Sequence, residues 1–275
     1  MAESMTRTGG RPGAGGRRAS VRAALVGACL LLAAVGGRTA AQRPPTVAAA
    51  ASVQSALTEI AQAFERERGQ RVSLVFGASG TLTRQIRDGA PFEAFFAADE
   101  AFPAQLAKDG RTEGAAVVYA VGRLAIFAPT GSPLVPDPDL RGLADLLTRG
   151  AVTRFAIANP DVAPYGRAAE TVLRKRGLLN RVRPRLVLGE SVAQAAQFAT
   201  TGNAVGGLIA YSQVLAPEFA GRGAHAVIPD ADYPPLRQAM VRLKGASPVA
   251  NAFVDYVRQT AARAILRRHG FGVPD

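Results

Sequence analysis

The sequence predicts an α/β fold whose sheets are mainly parallel. From Thr46 onward, short apolar runs alternate with segments whose apolar residues recur at helical spacing. The length of 275 residues is sufficient for one or two domains with their own cores. A composition of 48% hydrophobic and 20% charged residues is typical of globular chains, so the disordered and fibrous classes are excluded.

The first half of the chain predicts three strand–helix pairs followed by a long extended stretch. Val47–Ala51 has the pattern of a short buried strand, and apolar residues from Val53 to Phe64 then recur at helical spacing until Gly69 ends the helix. The other elements predicted here are strands at Val72–Phe76 and Ala94–Ala98, helices at Thr81–Asp88 and about Glu100–Lys108, and an extended stretch at Val117–Phe127 broken by Gly122.

A second α/β series follows the proline-rich passage Thr130–Asp139. This passage can form neither a helix nor a central strand, and it is a candidate for a domain crossing. The predicted helices are Leu140–Leu147, Tyr165–Arg176, Val192–Thr201, Pro248–Thr260 and Ala261–His269; the predicted strands are Arg154–Ala158, Leu186–Leu188, Val205–Ala210, Ala226–Ile228 and Met240–Leu243.

Residues 1–41 have the pattern of a secretory signal peptide. A basic segment precedes the apolar run Ala23–Val35, which is too short to cross a membrane, and small residues at Thr39-Ala40-Ala41 provide a cleavage site. We therefore expect export to the periplasm, with the adjacent Arg17 and Arg18 leaving a twin-arginine route open. Lipidation of Cys29, the only cysteine, is the less favoured alternative because the apolar run continues past it.

The formal net charge of +12 suggests an anionic partner, and its distribution narrows the choice. Six arginines and one glutamate lie in residues 1–41, so about +7 remains after the predicted cleavage. The chain has no tryptophan, only 6% aromatic residues, and no basic run interleaved with aromatic rings. A nucleic-acid partner is therefore not expected.

Sequence motifs for catalysis and for metal binding are missing. The chain has two histidines and no Gly-x-Ser-x-Gly elbow, and the turn Gly77–Thr81 lacks the lysine of a phosphate loop. Without cysteine in the mature chain, a zinc site is not supported. An exported hydrolase is accordingly only a distant alternative.

Small or hydroxyl residues recur where a predicted strand opens directly into a helix. These turns contain Ser52, Ser79, Tyr165 and Ser191. Unpaired N–H groups at a helix N-terminus favour an anion, through hydrogen bonds and through the helix dipole. Serine at such positions also commonly caps its own helix, so both interpretations stay open at this point.

The same turns carry a family resemblance. The segments are Ala48-Ala49-Ala50-Ala51-Ser52, Phe76-Gly77-Ala78-Ser79-Gly80-Thr81, Ala97-Ala98-Asp99, Ala163-Pro164-Tyr165-Gly166 and Gly206-Gly207-Leu208-Ile209-Ala210. In this order they resemble the periplasmic molybdate-binding proteins of ABC transporters. The resemblance covers nearly all of residues 46–272 and implies a two-lobed class II binding protein, each lobe a mainly parallel sheet flanked by helices.

The resemblance also implies the ligand contacts. Ser52 and Ser79 would each offer a hydroxyl and an amide to molybdate or tungstate, Tyr165 would contribute through its backbone, and Val192 would donate its amide. Some relatives use a tyrosine hydroxyl after the strand that corresponds to Val205–Ala210; here Ala210 matches that position and Tyr211 follows it. Whether either contributes a fifth contact is open.

The implied lobes are residues 42–125 with 211–275, and residues 126–210, joined by extended crossings near Leu124–Ala128 and Leu208–Ser212. The implied partner is a membrane ABC permease, the expected state is a monomer, and no cofactor or catalytic activity is implied. Another oxyanion or a small carboxylate is the alternative ligand, which an arginine or aspartate pointing into the cleft would favour. Arg84 and Arg167, which follow site turns, are expected to be solvated.

Overall fold

The computed structural model describes residues 43–201 and 204–274. The predicted signal peptide and Cys29 lie outside these residues. Within the described part of the chain, no helix is long and apolar enough to cross a membrane.

The first lobe is built on a five-stranded sheet with the order β2-β1-β3-β10-β4. Strands β1, β2 and β3 are parallel, and β10 is antiparallel to both β3 and β4. Its strands are β1 (Thr46–Ala50), β2 (Ser73–Gly77), β3 (Ala94–Phe96), β4 (Thr112–Gly122) and β10 (Leu236–Leu243); its helices are α1 (Gln54–Arg68), α2 (Ser79–Arg87), α3 (Ala101–Lys108), α9 (Pro248–Val257) and α10 (Thr260–Arg268).

The second lobe is built on a sheet with the order β7-β6-β8-β5-β9. Strands β6, β7 and β8 are parallel, and β5 is antiparallel to β8 and β9. Its strands are β5 (Leu124–Pro129), β6 (Phe155–Ala158), β7 (Leu186–Gly189), β8 (Gly207–Ala210) and β9 (Gly223–Val227); its helices are α4 (Arg141–Thr148), α5 (Pro164–Lys175), α6 (Leu179–Val182), α7 (Val192–Thr200) and α8 (Tyr211–Val214).

The α/β prediction is confirmed, and the two sheets are mixed. In each sheet four of the five strands point in one direction, because the single opposed strand, β10 or β5, lies between two of them. The carboxyl ends of the parallel strands therefore share one edge of each sheet, where an open α/β sheet places its ligand.

The chain passes between the sheets at two places, and the second differs from the prediction. Only Arg123 separates β4 from β5, so the first crossing lies just before the predicted Leu124–Ala128. Strand β9 pairs with β5, which keeps the chain in the second lobe until Val227. The return to the first lobe thus lies between Val227 and Leu236, and the expected crossing at Leu208–Ser212, with its lobe boundary at 210/211, is wrong.

Element ends differ from the prediction where a polar residue interrupts an apolar pattern. Strand β10 begins at Leu236, four residues before the predicted Met240, because Arg237 and Gln238 conceal the start of the strand. Helix α5 begins at Pro164, since proline fits the first turn, where no amide donor is needed. The short helices α6 and α8 were not predicted.

The two crossings are tied to each other by hydrogen bonds. The amide of Leu124 donates to the Tyr233 hydroxyl at 3.0 Å, and the amide of Ile228 donates to the Leu124 carbonyl at 2.9 Å. The Tyr233 hydroxyl in turn donates to the Asp230 carboxylate at 2.9 Å. The two crossings are therefore held together rather than being independent linkers.

Gly122, at the end of β4, leaves room for a side chain of the other lobe. A Cβ at this position would lie 2.1 Å from the Tyr165 hydroxyl oxygen and 2.7 Å from Nε2 of Gln238. Tyr165 belongs to α5 of the second lobe, so the missing side chain at Gly122 allows the lobes to approach here.

We expect Gly122→Ala to destabilise the protein by about 1–3 kcal/mol, the usual cost of forcing atoms into a packed interior. Thermal unfolding measures the loss. Tyr165→Phe in the same chain removes the atom at 2.1 Å and should restore part of the stability. A Gly122→Ala variant as stable as the parent would contradict the role given to this glycine.

Candidate anion-binding site

All four residues implied as ligand contacts line one pocket between the lobes. Ser52, Ser79, Tyr165 and Val192 surround a small cavity, and each is buried. The other lining residues are small or apolar: Ala50, Ala51, Gly77, Ala78, Ala98, Ala163 and Pro164. The structure thus brings together residues from two sheets that are up to 140 positions apart in the sequence.

Ser79 opens helix α2 without capping it. The N-cap residue is Ala78, which makes no side-chain cap, and Ser79 is the first helical residue. Its hydroxyl oxygen accepts a hydrogen bond from the amide of Ala98 at 2.9 Å. Because a hydroxyl carries one hydrogen and two lone pairs, this contact leaves the Ser79 hydrogen available for a ligand.

Ser52 lies in the 3₁₀ turn Ala51–Val53, which leads directly into α1 and has no side-chain cap. Its hydroxyl oxygen contacts the buried amide of Gln238, 3.3 Å from Nε2. Ser191, by contrast, is a true cap, since its hydroxyl accepts from the amide of Gln194 at 3.3 Å. The capping interpretation therefore holds for Ser191 and fails for Ser52 and Ser79.

Tyr165 and Val192 line the pocket from the first turns of two helices. Tyr165 is the second residue of α5, and Val192 is the first residue of α7. First-turn amides have no acceptor within their own helix. Within the described residues, the amides of Ser52, Ser79, Tyr165 and Val192 are not paired with any backbone carbonyl.

The hydroxyl of Tyr165 is hydrogen-bonded within the protein. It accepts from Nε2 of Gln238 at 3.2 Å. Burial raises the pKa of Tyr165 above its ordinary value, so the phenol keeps its proton. The backbone contact implied for Tyr165 is compatible with this placement.

The field in the pocket comes from helix ends rather than from charged side chains. None of the described residues that line the pocket is charged. Each helix N-terminus behaves as a partial charge of about +0.5, so four of them provide roughly +2. This total suits a dianion, and it is fixed in place by the backbone.

Arg167 is exposed, as expected, and its guanidinium also bridges the lobes. Its guanidinium donates to the Asp99 carboxylate at 2.6 Å and lies 5.4 Å from the ring centre of Phe102. Burial raises the pKa of Asp99, while the Phe102 amide and Arg167 oppose that shift. Arg84 is exposed, as expected.

Neither candidate for a fifth contact lines the pocket. The amide of Tyr211 donates to the carbonyl of Arg123 at 2.9 Å. The ring of Tyr211 lies 5.9 Å from the ring of His225 and 5.5 Å from the Arg123 guanidinium carbon. Ala210 is buried in β8, outside the set of lining residues.

Sequence reasoning missed the residues that support the site from behind. Gln238 is fully buried between Ser52 and Tyr165, and its only sequence signal is a polar residue at the start of an apolar strand. Gly80 allows close contact between the lobes: its amide donates to the Val162 carbonyl at 2.9 Å, and a Cβ would lie 2.9 Å from the same oxygen.

The comparisons with known proteins agree with this architecture. The family model described as bacterial extracellular solute-binding protein matches residues 45–272. The molybdate-binding protein ModA of Azotobacter vinelandii is 39% identical over 227 residues, covering 82% of this chain and 88% of the relative. ModA of Rhodobacter capsulatus is 37% identical over 230 residues, covering 81% and 85%.

The solved structure of the periplasmic molybdate-binding protein of Azotobacter vinelandii superposes with a TM-score of 0.76 at 30% identity, covering 84% of this chain and all of that one. The expected two-lobed fold is thereby confirmed. The chain belongs to the family of bacterial extracellular solute-binding proteins.

Proposed function

We propose that this chain is the exported, monomeric binding protein of an ABC transporter, which captures molybdate or tungstate and delivers it to the membrane permease. It needs no cofactor and performs no catalysis. The observation that carries the proposal is a buried pocket lined by two serine hydroxyls and four unpaired first-turn amides, with no charged side chain among its described lining residues.

The chemistry of the anion fits these donors. Molybdate near neutral pH is a dianion without a proton, so it can only accept hydrogen bonds. A carboxylate in the pocket would repel it, whereas amides and hydroxyls can satisfy several oxygens at once. About +2 of partial charge from four helix ends offsets the dianion without a buried arginine.

Closure of the lobes completes the site, because Ser52 and Ser79 belong to the first lobe and Tyr165 and Val192 to the second. Contacts that cross the cleft beside the pocket include Gly80 to Val162, Arg167 to Asp99, and Gln238 to Tyr165. A ligand that bridges both lobes stabilises this closed form, which provides a defined surface for the permease.

The alternatives have less support. An arginine or an aspartate pointing into the pocket would favour a small carboxylate or another oxyanion, and neither residue type is among the described lining residues. A hydrolase would need a base near a serine hydroxyl. His225 lies beside Tyr211, and His269 is 2.8 Å from Glu59, so neither is placed for that role.

Molybdate and tungstate are expected to raise the melting temperature and to bind in calorimetric titrations of ligand-stripped protein, because a ligand that binds only the native state stabilises it. Sulfate at the same concentration is the control. Stabilisation by sulfate or by an organic anion, with no response to millimolar molybdate, would contradict the proposal.

Ser79→Ala should weaken molybdate binding by about 1.5–3 kcal/mol, or roughly 10- to 150-fold, the range for a hydrogen bond to a charged group. Ser191→Ala is the matched control. It removes a helix cap, so it should lower stability by about 1 kcal/mol and leave the affinity nearly unchanged. Equal effects of the two substitutions on affinity would show that Ser79 has no ligand role.

Asp99→Asn should speed the release of molybdate, with an affinity loss of roughly threefold to tenfold, since a partly exposed ion pair contributes about 1 kcal/mol. Stopped-flow dissociation measures the effect. The control is Glu100→Gln. It removes the ion pair between Glu100 and Arg237, whose atoms are 2.8 Å apart and which lies entirely within the first lobe. The same change in release rate from both variants would refute a specific effect of the interlobe pair.

A further inference from the structure

Gln238 is a fully buried polar side chain immediately behind the pocket. It lies on β10 of the first lobe, and its amide group contacts three hydroxyls. Oε1 accepts from the Tyr119 hydroxyl at 3.0 Å, and Nε2 lies 3.3 Å from the Ser52 hydroxyl oxygen and 3.2 Å from that of Tyr165. A buried amide held by three side chains is under strong geometric constraint.

The numbers of hydrogen-bond donors and acceptors in this cluster determine which group donates in each hydrogen bond. Burial raises the pKa of Tyr119, so this phenol stays protonated and donates to Oε1. The amide nitrogen then has two hydrogens to place, and two hydroxyl oxygens, those of Ser52 and Tyr165, lie within reach.

Oε1 also lies 3.4 Å from the Ser52 hydroxyl oxygen. The bond from Tyr119 to Oε1 is shorter, and a Ser52 oxygen that did not accept from Nε2 would leave one amide hydrogen unpaired in the interior. With Ser52 as acceptor, every hydrogen of the amide has a partner. The Tyr165 hydroxyl also bonds to Ser52 and has no other acceptor among the described residues, so it donates to the Ser52 oxygen. The hydrogen of Ser52 is then available for the pocket.

The Ser79 hydroxyl oxygen also accepts a hydrogen bond from the protein, but from a backbone amide instead of a side chain. That amide belongs to Ala98 and can only donate. Both serines of the site therefore receive a hydrogen bond from a fixed donor on the protein side. Each hydroxyl can offer its own hydrogen on the ligand side.

We propose that Gln238 is a positioning residue that makes the Ser52 hydroxyl a donor toward the bound oxyanion, with Tyr119 holding the amide in the required orientation. This inference rests on the proposed function. The groups behind the serines direct the serine hydrogens toward the ligand. The preference for an unprotonated oxyanion therefore depends on these groups as well as on the residues that line the pocket.

The test is a double-mutant cycle measured by calorimetric titration with molybdate. Gln238→Met keeps the length of the side chain and removes its polar atoms, and should weaken binding about tenfold in the parent chain. In a Ser52→Ala background the same substitution should cost less than about twofold, because the hydroxyl it acts on is gone.

Ser79→Ala provides the matched background. Its hydroxyl is aligned by Ala98, so Gln238→Met should again cost about tenfold there. Equal losses in all three backgrounds would mean that Gln238 only supports the packing, and would overturn the inference. Failure of the parent protein to bind molybdate would instead overturn the proposed function.

Tyr119→Phe keeps the cluster testable if Gln238→Met does not fold. It removes the donor to Oε1, lets the amide reverse, and should weaken binding about threefold to tenfold in the parent and less than twofold with Ser52→Ala. Thermal melting without ligand verifies folding. Unchanged affinity for a folded Tyr119→Phe, or the same loss in both backgrounds, would contradict the positioning role.

Discussion

Four helical turns begin at the carboxyl ends of parallel strands, and their first amides lie unpaired around one pocket. The rest of the structure depends on one requirement: a single occupant of the pocket must accept hydrogen bonds from all four. The groups follow β1, β2, β6 and β7, two from each sheet. A buried amide without an acceptor is costly, so a pocket of this kind favours an occupant with several acceptor oxygens. The two-lobed architecture places these donors around the pocket. Each sheet positions two of the donor amides, and the crossings, joined by the bond from Leu124 to Tyr233, hold the two lobes side by side.

The basic composition has little to do with this pocket. Where arginines have partners near it, they pair with carboxylates, as Arg167 does with Asp99 and Arg237 with Glu100. Such pairs lie between the lobes or on the surface. In the proposed function, partial charges on the backbone supply the attraction for the anion. A fixed set of neutral donors also has a chemical consequence: it favours ligands without a proton, since no carboxylate among the described lining residues can accept one.

The repeating elements of the fold could be read from the sequence because strand and helix periodicities are strong over short windows. Ser52, Ser79, Tyr165 and Val192 followed from a family resemblance, since any one of these turns is also compatible with a simple helix cap. The second crossing was misplaced because pairing of β9 with β5 is a long-range contact without a local signal. Gln238 was missed for a similar reason: its partners Ser52, Tyr119 and Tyr165 come together only in the folded chain.

The central claim, that neutral donors alone hold the oxyanion, is tested most directly by a crystal structure of the molybdate complex with the metal located by anomalous scattering. The account predicts molybdenum in the cavity between the lobes, with oxygens within hydrogen-bond distance of the hydroxyls of Ser52 and Ser79 and of the amides of Tyr165 and Val192, and with no arginine or lysine in contact. Molybdate held by a guanidinium, or bound outside this cavity, would contradict it.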